Sequence, residues 1–289
     1  MASKPFAVTV HPFPSATPSS CAYERGAPSS RHALVFIGGL TSGPHTTPQL
    51  EPLIQALEID TGLSYSFWDF RMRSSYTGFG YSSLANDVED VAALVKYLRG
   101  VGRERVVVLG SSTGCQAILT YINFVLTLPS ITAYILQAPT SDRETASLLM
   151  PPDVYAETLR HAEDMIAREE QDGIMPQSLI PPIFHSPISA YRWHSLIAKG
   201  GDDDFFSSDL DGEALARTFG KVDKPMLIMP SEKDEMVPSD VDKQKLLKRW
   251  VAAAPEGLVS GLSGLNPGAD HVLTGGRRRS GLLRELCGF

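Results

Sequence analysis

The sequence predicts an α/β protein, a mostly parallel central sheet with helices on both faces, interrupted by one long insertion. Three observations predict it. Short apolar or β-branched runs at Arg31–Ile37, Ser64–Phe70, Arg105–Leu109, Ala133–Gln137 and Lys224–Pro230 alternate with stretches of helical spacing over much of the chain. Several of these runs are continuously apolar instead of alternating, as strands buried on both faces are. The length of 289 residues, with 43% hydrophobic and 20% charged residues, suits one large globular domain or a domain carrying an insertion.

Taken in order, Phe6–Val10 and Cys21–Arg25 read as short strands around a Pro/Ser-rich turn. Arg31–Ile37 is a cleaner strand and ends in Gly38-Gly39-Leu40-Thr41-Ser42-Gly43-Pro44, a loop whose glycines allow a ligand close to the backbone. Ser64–Phe70 is the next strand and opens into Arg71–Tyr81, a loop of basic, hydroxyl and aromatic residues at the sheet edge where open α/β sheets bind ligands. Arg71 and Arg73 are candidates to face an anionic or chelate substrate, with pairing to Asp69 and Asp87 as the structural alternative. Ser82 or Ser83 then caps a helix in which Leu84, Val88, Val91, Val95 and Leu98 recur at core spacing before Gly100. After the strand at Arg105–Leu109 the face Ile118, Tyr121, Ile122, Val125 predicts a second core-packed helix, and Ala133–Gln137 a further strand.

The alternation stops between 140 and 222. Asp153–Gln171 reads as a charged amphipathic helix, and a proline-rich stretch, Met175–Pro187, follows. A segment of this length without strand pattern predicts a lid (140–222) set into a core made of 1–139 and 223–289. Arg192 and Trp193 are its candidate substrate contacts; His161, His185 and His194 have no metal-like pairing. The sheet resumes at Lys224–Pro230, a helix is expected from about Ser239, a last strand at Leu258–Leu262, and a closing helix at Arg277–Leu286.

The chemistry centres on Gly110-Ser111-Ser112-Thr113-Gly114. A strand before it and a helix after it give G-x-S-x-G the context of a nucleophile elbow, which holds the central serine in a strained turn and lifts its hydroxyl off the sheet. A Cβ at Gly110 or Gly114 would collide with the neighbouring helix or strand. A serine hydroxyl needs a base beside it, and the base needs an orienting acid. In α/β-hydrolases these follow in the order serine, acid, histidine. Here that order offers Ser112, then Asp234 in the loop Ser231–Pro238, then His271, the one histidine after the acid. Glu232, Glu235 and Asp240 compete with Asp234, and Asp270 reads as a loop cap. Backbone N–H groups of Leu40 (or its neighbour Gly39) and Thr113 are the expected oxyanion donors. The expected reaction is acyl transfer to water.

Composition narrows the partners. A net charge of −7 argues against nucleic acid, and Arg277–Arg279 reads as a solvated face. Neither a metal-binding spacing nor a phosphate-binding glycine loop occurs, so no cofactor is expected. Cys21, Cys115 and Cys287 read as reduced thiols, Cys115 in the core. The first residues lack the apolar segment of a signal peptide and no run is long enough to span a bilayer, so a cytoplasmic protein is expected.

Phe36–Gly43, Arg73–Gly80, Gly110–Gln116 and Ser231–Pro238, together with Asp270-His271, resemble the α/β-hydrolase family of fungal siderophore esterases, the fusarinine C esterase-like group. The resemblance spans most of the chain. It implies an intracellular esterase that opens ester bonds of a hydroxamate siderophore and so frees its iron. Ser112, Asp234 and His271 match the family triad without a change of residue type. Two other readings stand beside it: a general carboxylesterase or thioesterase acting on small acyl substrates, and a hydrolase fold used only for binding.

Overall fold

A computed structural model describes residues 5–274 apart from 28 and 61. The expected helix at Arg277–Leu286 and the third cysteine, Cys287, lie outside the described residues. The chain builds one seven-stranded sheet in the order β1-β2-β4-β3-β5-β6-β7. Its strands are β1 (Thr9–Pro12), β2 (Cys21–Arg25), β3 (His32–Ile37), β4 (Tyr65–Phe70), β5 (Arg105–Ser111), β6 (Ala133–Gln137) and β7 (Met226–Met229). The first two are antiparallel to their neighbours, and the other pairings are parallel. Between them lie α1 (Glu51–Ile59), α2 (Leu84–Gly100) and α3 (Thr113–Asn123). Between β6 and β7 come α4 (Asp142–Leu149), α5 (Pro152–Ala167), α6 (Ala190–Ile197) and α7 (Gly212–Thr218), and α8 (Lys243–Ala253) follows β7.

The apolar strands pack on both faces. Val35, Val108, Leu136 and Ile228 point to the side covered by α2, α3 and α8, whereas Leu34, Leu109, Ile135 and Leu227 point to the side covered by α1. Both sets are buried, so the core has two layers separated by the sheet. A third cluster lies outside them. Ala146, Met150, Ala162, Met165, Trp193 and Leu196 pack together within the α4–α6 region and against Phe79 of the loop after β4. Phe205, Phe206, Leu215, Phe219 and Val222, by contrast, join the main core.

Local signals account for most boundaries. Ser83 Oγ accepts from Asn86 N at 3.2 Å and fixes the start of α2. Several boundaries differ from expectation. The first strand is Thr9–Pro12 instead of Phe6–Val10, because its pairing with Cys21–Glu24 sets the register. The helix expected over Asp153–Gln171 ends at Ala167, and Glu169 already has a positive φ of 62°. The helix expected from Ser239 begins at Lys243, where Asp242 accepts from Lys245 N at 2.9 Å. Leu258–Leu262 forms no strand; Val259 makes an isolated bridge to Met226, and the chain then bends past Pro230 through Asn266.

The register brings functional loops to one edge. Ile37 pairs with Gly110, and Ser111 with Gln137, so β3, β5 and β6 end side by side. The elbow needs two glycines for space. A Cβ on Gly110 would lie 2.5 Å from Gly114 O, and a Cβ on Gly114 would lie 2.1 Å from Ile37 O. Gly114→Ala is therefore expected to lower unfolding stability by about 1–3 kcal/mol. Gly100→Ala, where a Cβ meets nothing within 4 Å, should leave it unchanged or raise it by up to ~1 kcal/mol. Chemical denaturation of the two variants beside the parent checks this.

Candidate active site

Ser112 occupies the turn between β5 and α3 with φ 54° and ψ −125°, a region that only a strongly constrained non-glycine residue adopts. Its N–H is held by Gln137 O at 3.1 Å, and Cys115 N bonds back to Ser112 O at 2.8 Å. The hydroxyl therefore projects from the sheet edge in a fixed direction. His271 Nε2 lies 2.9 Å from Ser112 Oγ, and His271 Nδ1 lies 2.9 and 3.0 Å from the two oxygens of Asp234. Three residues far apart in sequence thus make one continuous hydrogen-bonded line.

Each is braced from behind. Asp234 follows β7, and its Oδ1 accepts from Met236 N at 3.0 Å. Among the carboxylates that compete for the acid position, Glu235 instead accepts the backbone N–H of His271 at 2.9 Å, Glu232 accepts from Gly268 N at 2.5 Å, and Asp240 is exposed. Asp234 is the one of the four that bonds the imidazole. Asp270 accepts from Thr274 N at 2.8 Å, the loop-capping contact expected of it. Gln137 Nε2 donates to His271 O at 3.3 Å. The bonds to His271 N and O hold the backbone that carries the ring, and the bond to Asp234 orients the imidazole itself.

The loop after β3 closes the other side. A Cβ on Gly39 would sit 2.8 Å from Ser112 Cβ, so glycine lets the Gly38–Leu40 backbone press against the serine. Thr113 is the first residue of α3, where N–H groups have no intrahelical acceptor. The expected donors of Leu40 and Thr113 therefore flank Ser112, and both residues line small cavities beside it.

The four residues expected to contact a substrate take different places. Arg71 is exposed and does not line the cavity at Ser112. Arg73 turns to Asp90 and Glu89 at 3.3 and 2.7 Å, not to the Asp69 and Asp87 expected as its alternative partners. Arg192 is 3% exposed; it pairs with Asp203 and donates to Phe79 O at 3.1 Å. Trp193 is 1% exposed and donates to Thr158 Oγ1 at 2.8 Å. Both lie on the inward faces of α6 and hold the α4–α6 region together; Arg192 also lines the small cavity that Leu40 and Thr113 line, and Trp193 lines neither cavity. Cys115 is buried, which pushes its thiol well above the ordinary value and leaves it inert.

One group at the site escaped sequence reading. Asp142, half-buried at the start of α4, accepts from Gln116 Nε2 at 2.7 Å and from Thr113 Oγ1 at 3.3 Å, and it lines the cavity with Ser112 and His271. Its sequence signal, Ser141-Asp-Arg-Glu144, is that of a helix start, and Ser141 Oγ does accept from Glu144 N at 3.0 Å. Burial raises the Asp142 carboxyl to about 7, helped by the charge of Asp203 and opposed by Arg192, Thr113 and His271. For His271, burial works against the charged ring, but the hydrogen bond and charge of Asp234, with Glu235 and Asp142 beyond, outweigh it and raise the imidazole above 6.5. Among the described residues no cluster of His, Cys, Asp and Glu fits a metal ion, and no helix is long and apolar enough to cross a membrane.

A family model described as "Protein of unknown function (DUF1749)" matches residues 1–288. The chain belongs to the DUF1749 family. It is 33% identical over 262 residues to a UPF0613 protein of Schizosaccharomyces pombe, covering 84% of this chain and 81% of that one. It is 29% identical over 315 residues to fusarinine C esterase sidJ of Aspergillus fumigatus, covering 89% and 88%. The solved structure of siderophore hydrolase EstB from Aspergillus fumigatus superposes with a TM-score of 0.81 at 28% identity, over 98% of this chain and 96% of that one. This DUF1749 member is accordingly a hydrolase with the α/β-hydrolase fold, and the resemblance to the siderophore-esterase group holds.

The electrostatics of the site are open to direct measurement. The His271 ring should titrate above 6.5 in an NMR pH series, and Asp234→Asn should lower its midpoint by removing the nearest negative charge. A midpoint at or below 6.5 in the parent protein would contradict the arrangement of acids around the ring.

Proposed function

We propose that this hydrolase is a serine esterase acting in the cytoplasm on ester bonds of a hydroxamate siderophore of the fusarinine type, releasing the bound iron as the ligand falls apart. The observation that carries the catalytic part is His271 bridging Ser112 Oγ and Asp234 in one hydrogen-bonded line. The substrate class is supported by the names of two relatives, a fusarinine C esterase and a siderophore hydrolase.

In this reading Ser112 Oγ attacks the ester carbonyl while His271 Nε2 takes its proton. Asp234 holds the proton-bearing Nδ1 toward itself and stabilises the imidazolium. The N–H groups of Leu40 and Thr113 bind the oxyanion of the tetrahedral intermediate, where one donor contributes about 3 kcal/mol. The imidazolium returns its proton to the leaving alkoxide. Water then attacks the acyl-enzyme with His271 as base, and Ser112 is regenerated. These are steps that the chain's own residues complete, with the ferric ion as cargo of the substrate.

The segment 140–222 is the lid of a core formed by 1–139 and 223–289. Its covering part is α4 together with the proline-rich stretch, since Leu149, Ile183 and Phe184 wall the cavity at Ser112. Arg71, exposed at the same sheet edge, is placed to meet a substrate larger than the cavity.

Ser112→Ala and His271→Ala are each expected to lower kcat by roughly 10⁴-fold or more while the melting temperature stays close to the parent's. Mass spectrometry of a ferric fusarinine-type ester incubated with the parent enzyme should show released monomers. Intact siderophore alongside rapid turnover of p-nitrophenyl esters would replace this substrate with small acyl esters. Failure of a fluorophosphonate probe to label Ser112 would remove the esterase mechanism.

A further inference from the structure

The cavity at Ser112, about 360 Å³, has a mixed lining. Thr41, Thr46 and Gln49 contribute hydroxyls and an amide. Leu149, Ile183, Phe184 and Val272 contribute apolar surface. Its ionisable lining groups are Asp142 and His271, and no lysine or arginine is among them. A second cavity of about 540 Å³ lies beyond, between the end of α4, the start of α5 and the proline-rich stretch. Its lining is mainly apolar, Met150, Val154, Leu179 and Ile180 with both prolines of Pro181-Pro182, and its polar members Gln177, Ser178 and His185 are exposed. Leu149 lines both cavities and is 39% exposed, so it is the threshold between them.

The divider is built to keep its shape. Pro181 and Pro182 have fixed φ and no N–H to satisfy. Phe184 N bonds to Pro181 O at 2.9 Å, and Gln177 Nε2 bonds to Phe184 O at 2.9 Å, closing the turn on itself. Ile183 and Phe184 consequently face the Ser112 cavity while Leu179–Pro182 face the second one. Ile183 is 55% and Val272 47% exposed, which leaves apolar surface bare along the rim that a ligand would cross.

We propose that the second cavity is a subsite for one arm of the ester, so that the enzyme favours esters whose arm passes apolar surface over Leu149. The proposal rests on Ser112 being the nucleophile, because the arm is measured from the bond it attacks. Leu149, which lines both cavities, marks the path between them. The apolar lining sets the gain, since each methylene taken from water contributes about fourfold in kcat/KM until the groove is filled.

Two substrate series test it: p-nitrophenyl esters with acyl chains from acetyl to decanoyl, and acetate esters of alcohols from ethanol to decanol. In the parent enzyme kcat/KM is expected to climb with chain length in one of the two series. Ser178→Trp, at an exposed position that lines the second cavity, and Leu149→Trp should each pull the long-to-short ratio toward one. A flat response in both series, or a ratio that neither tryptophan changes, overturns the subsite. Acetyl esters turned over through Ser112 with a flat series would sink the subsite and leave the catalytic reading standing. No Ser112-dependent turnover of any ester removes both.

Discussion

The close approach of α3 to the ends of β3 and β5 is the constraint on which the rest depends. Gly110 and Gly114 let the helix start almost in contact with the strand carbonyls, and the turn between them forces Ser112 to φ 54°. That conformation costs of order 1–3 kcal/mol for a non-glycine residue, and the surrounding sheet holds it. Parallel pairing of β5 with β3 and β6 fixes the height of the turn, and Gln137 O holds the Ser112 amide. Everything that meets the hydroxyl must come to where the sheet puts it. Gly38–Leu40 arrives from β3, Asp234 from β7, and His271 from a loop stitched to Pro230 and Lys233 by backbone bonds.

The site is also a place where carboxyl groups are buried together. Asp87 is buried and Asp142 half-buried, both near Arg192, and desolvation raises each to about 7. Arg192 with Asp203 is a buried ion pair, and such pairs are weak contributors to net stability because desolvation offsets attraction. Its geometric effect is clearer. Arg192 ties α6 to Phe79 in the loop after β4, while Asp142 ties the start of α4 to Thr113 and Gln116 on α3. Thr145 Oγ1 reaches Met236 O at 2.8 Å, next to the loop that carries Asp234. The region between β6 and β7 is thereby anchored to the same turns that hold the hydrogen-bonded line of Ser112, His271 and Asp234. A carboxylate so near the proposed oxyanion donors also makes the protonation of Asp142 relevant to how much negative charge the site tolerates.

Much of this was legible in the chain. The strands at Cys21–Arg25 and Ala133–Gln137 stand at the residues expected, because turn signals bound continuous or alternating apolar runs that have one reasonable pairing length. The elbow was legible because its glycines answer a local steric need, and the order serine, acid, histidine follows from the order of the loops along one sheet edge. Leu258–Leu262 was not. It carries strand-like residues, but its bonds to Met226 and Ile228 are broken by bends at Ser260 and Ser263, so the ladder never extends. Local propensity cannot report that.

The side chains of long polar and aromatic residues show the same divide more sharply. From sequence alone, Arg73, Arg192 and Trp193 were as suited to a ligand as to an internal partner, since a guanidinium or indole N–H satisfies either. The fold gave them to Asp90, Asp203 and Thr158, because those acceptors were already buried within reach. Asp142 went the other way: an unremarkable residue in a helix-start motif became a wall of the reactive cavity. What the sequence determined by itself was therefore most of the elements, the strained serine and the residue types of the proposed catalytic line. Tertiary structure decided which acid meets His271, which arginines remain free and where the apolar groove beyond Leu149 runs, because those depend on distances between segments that no local pattern encodes.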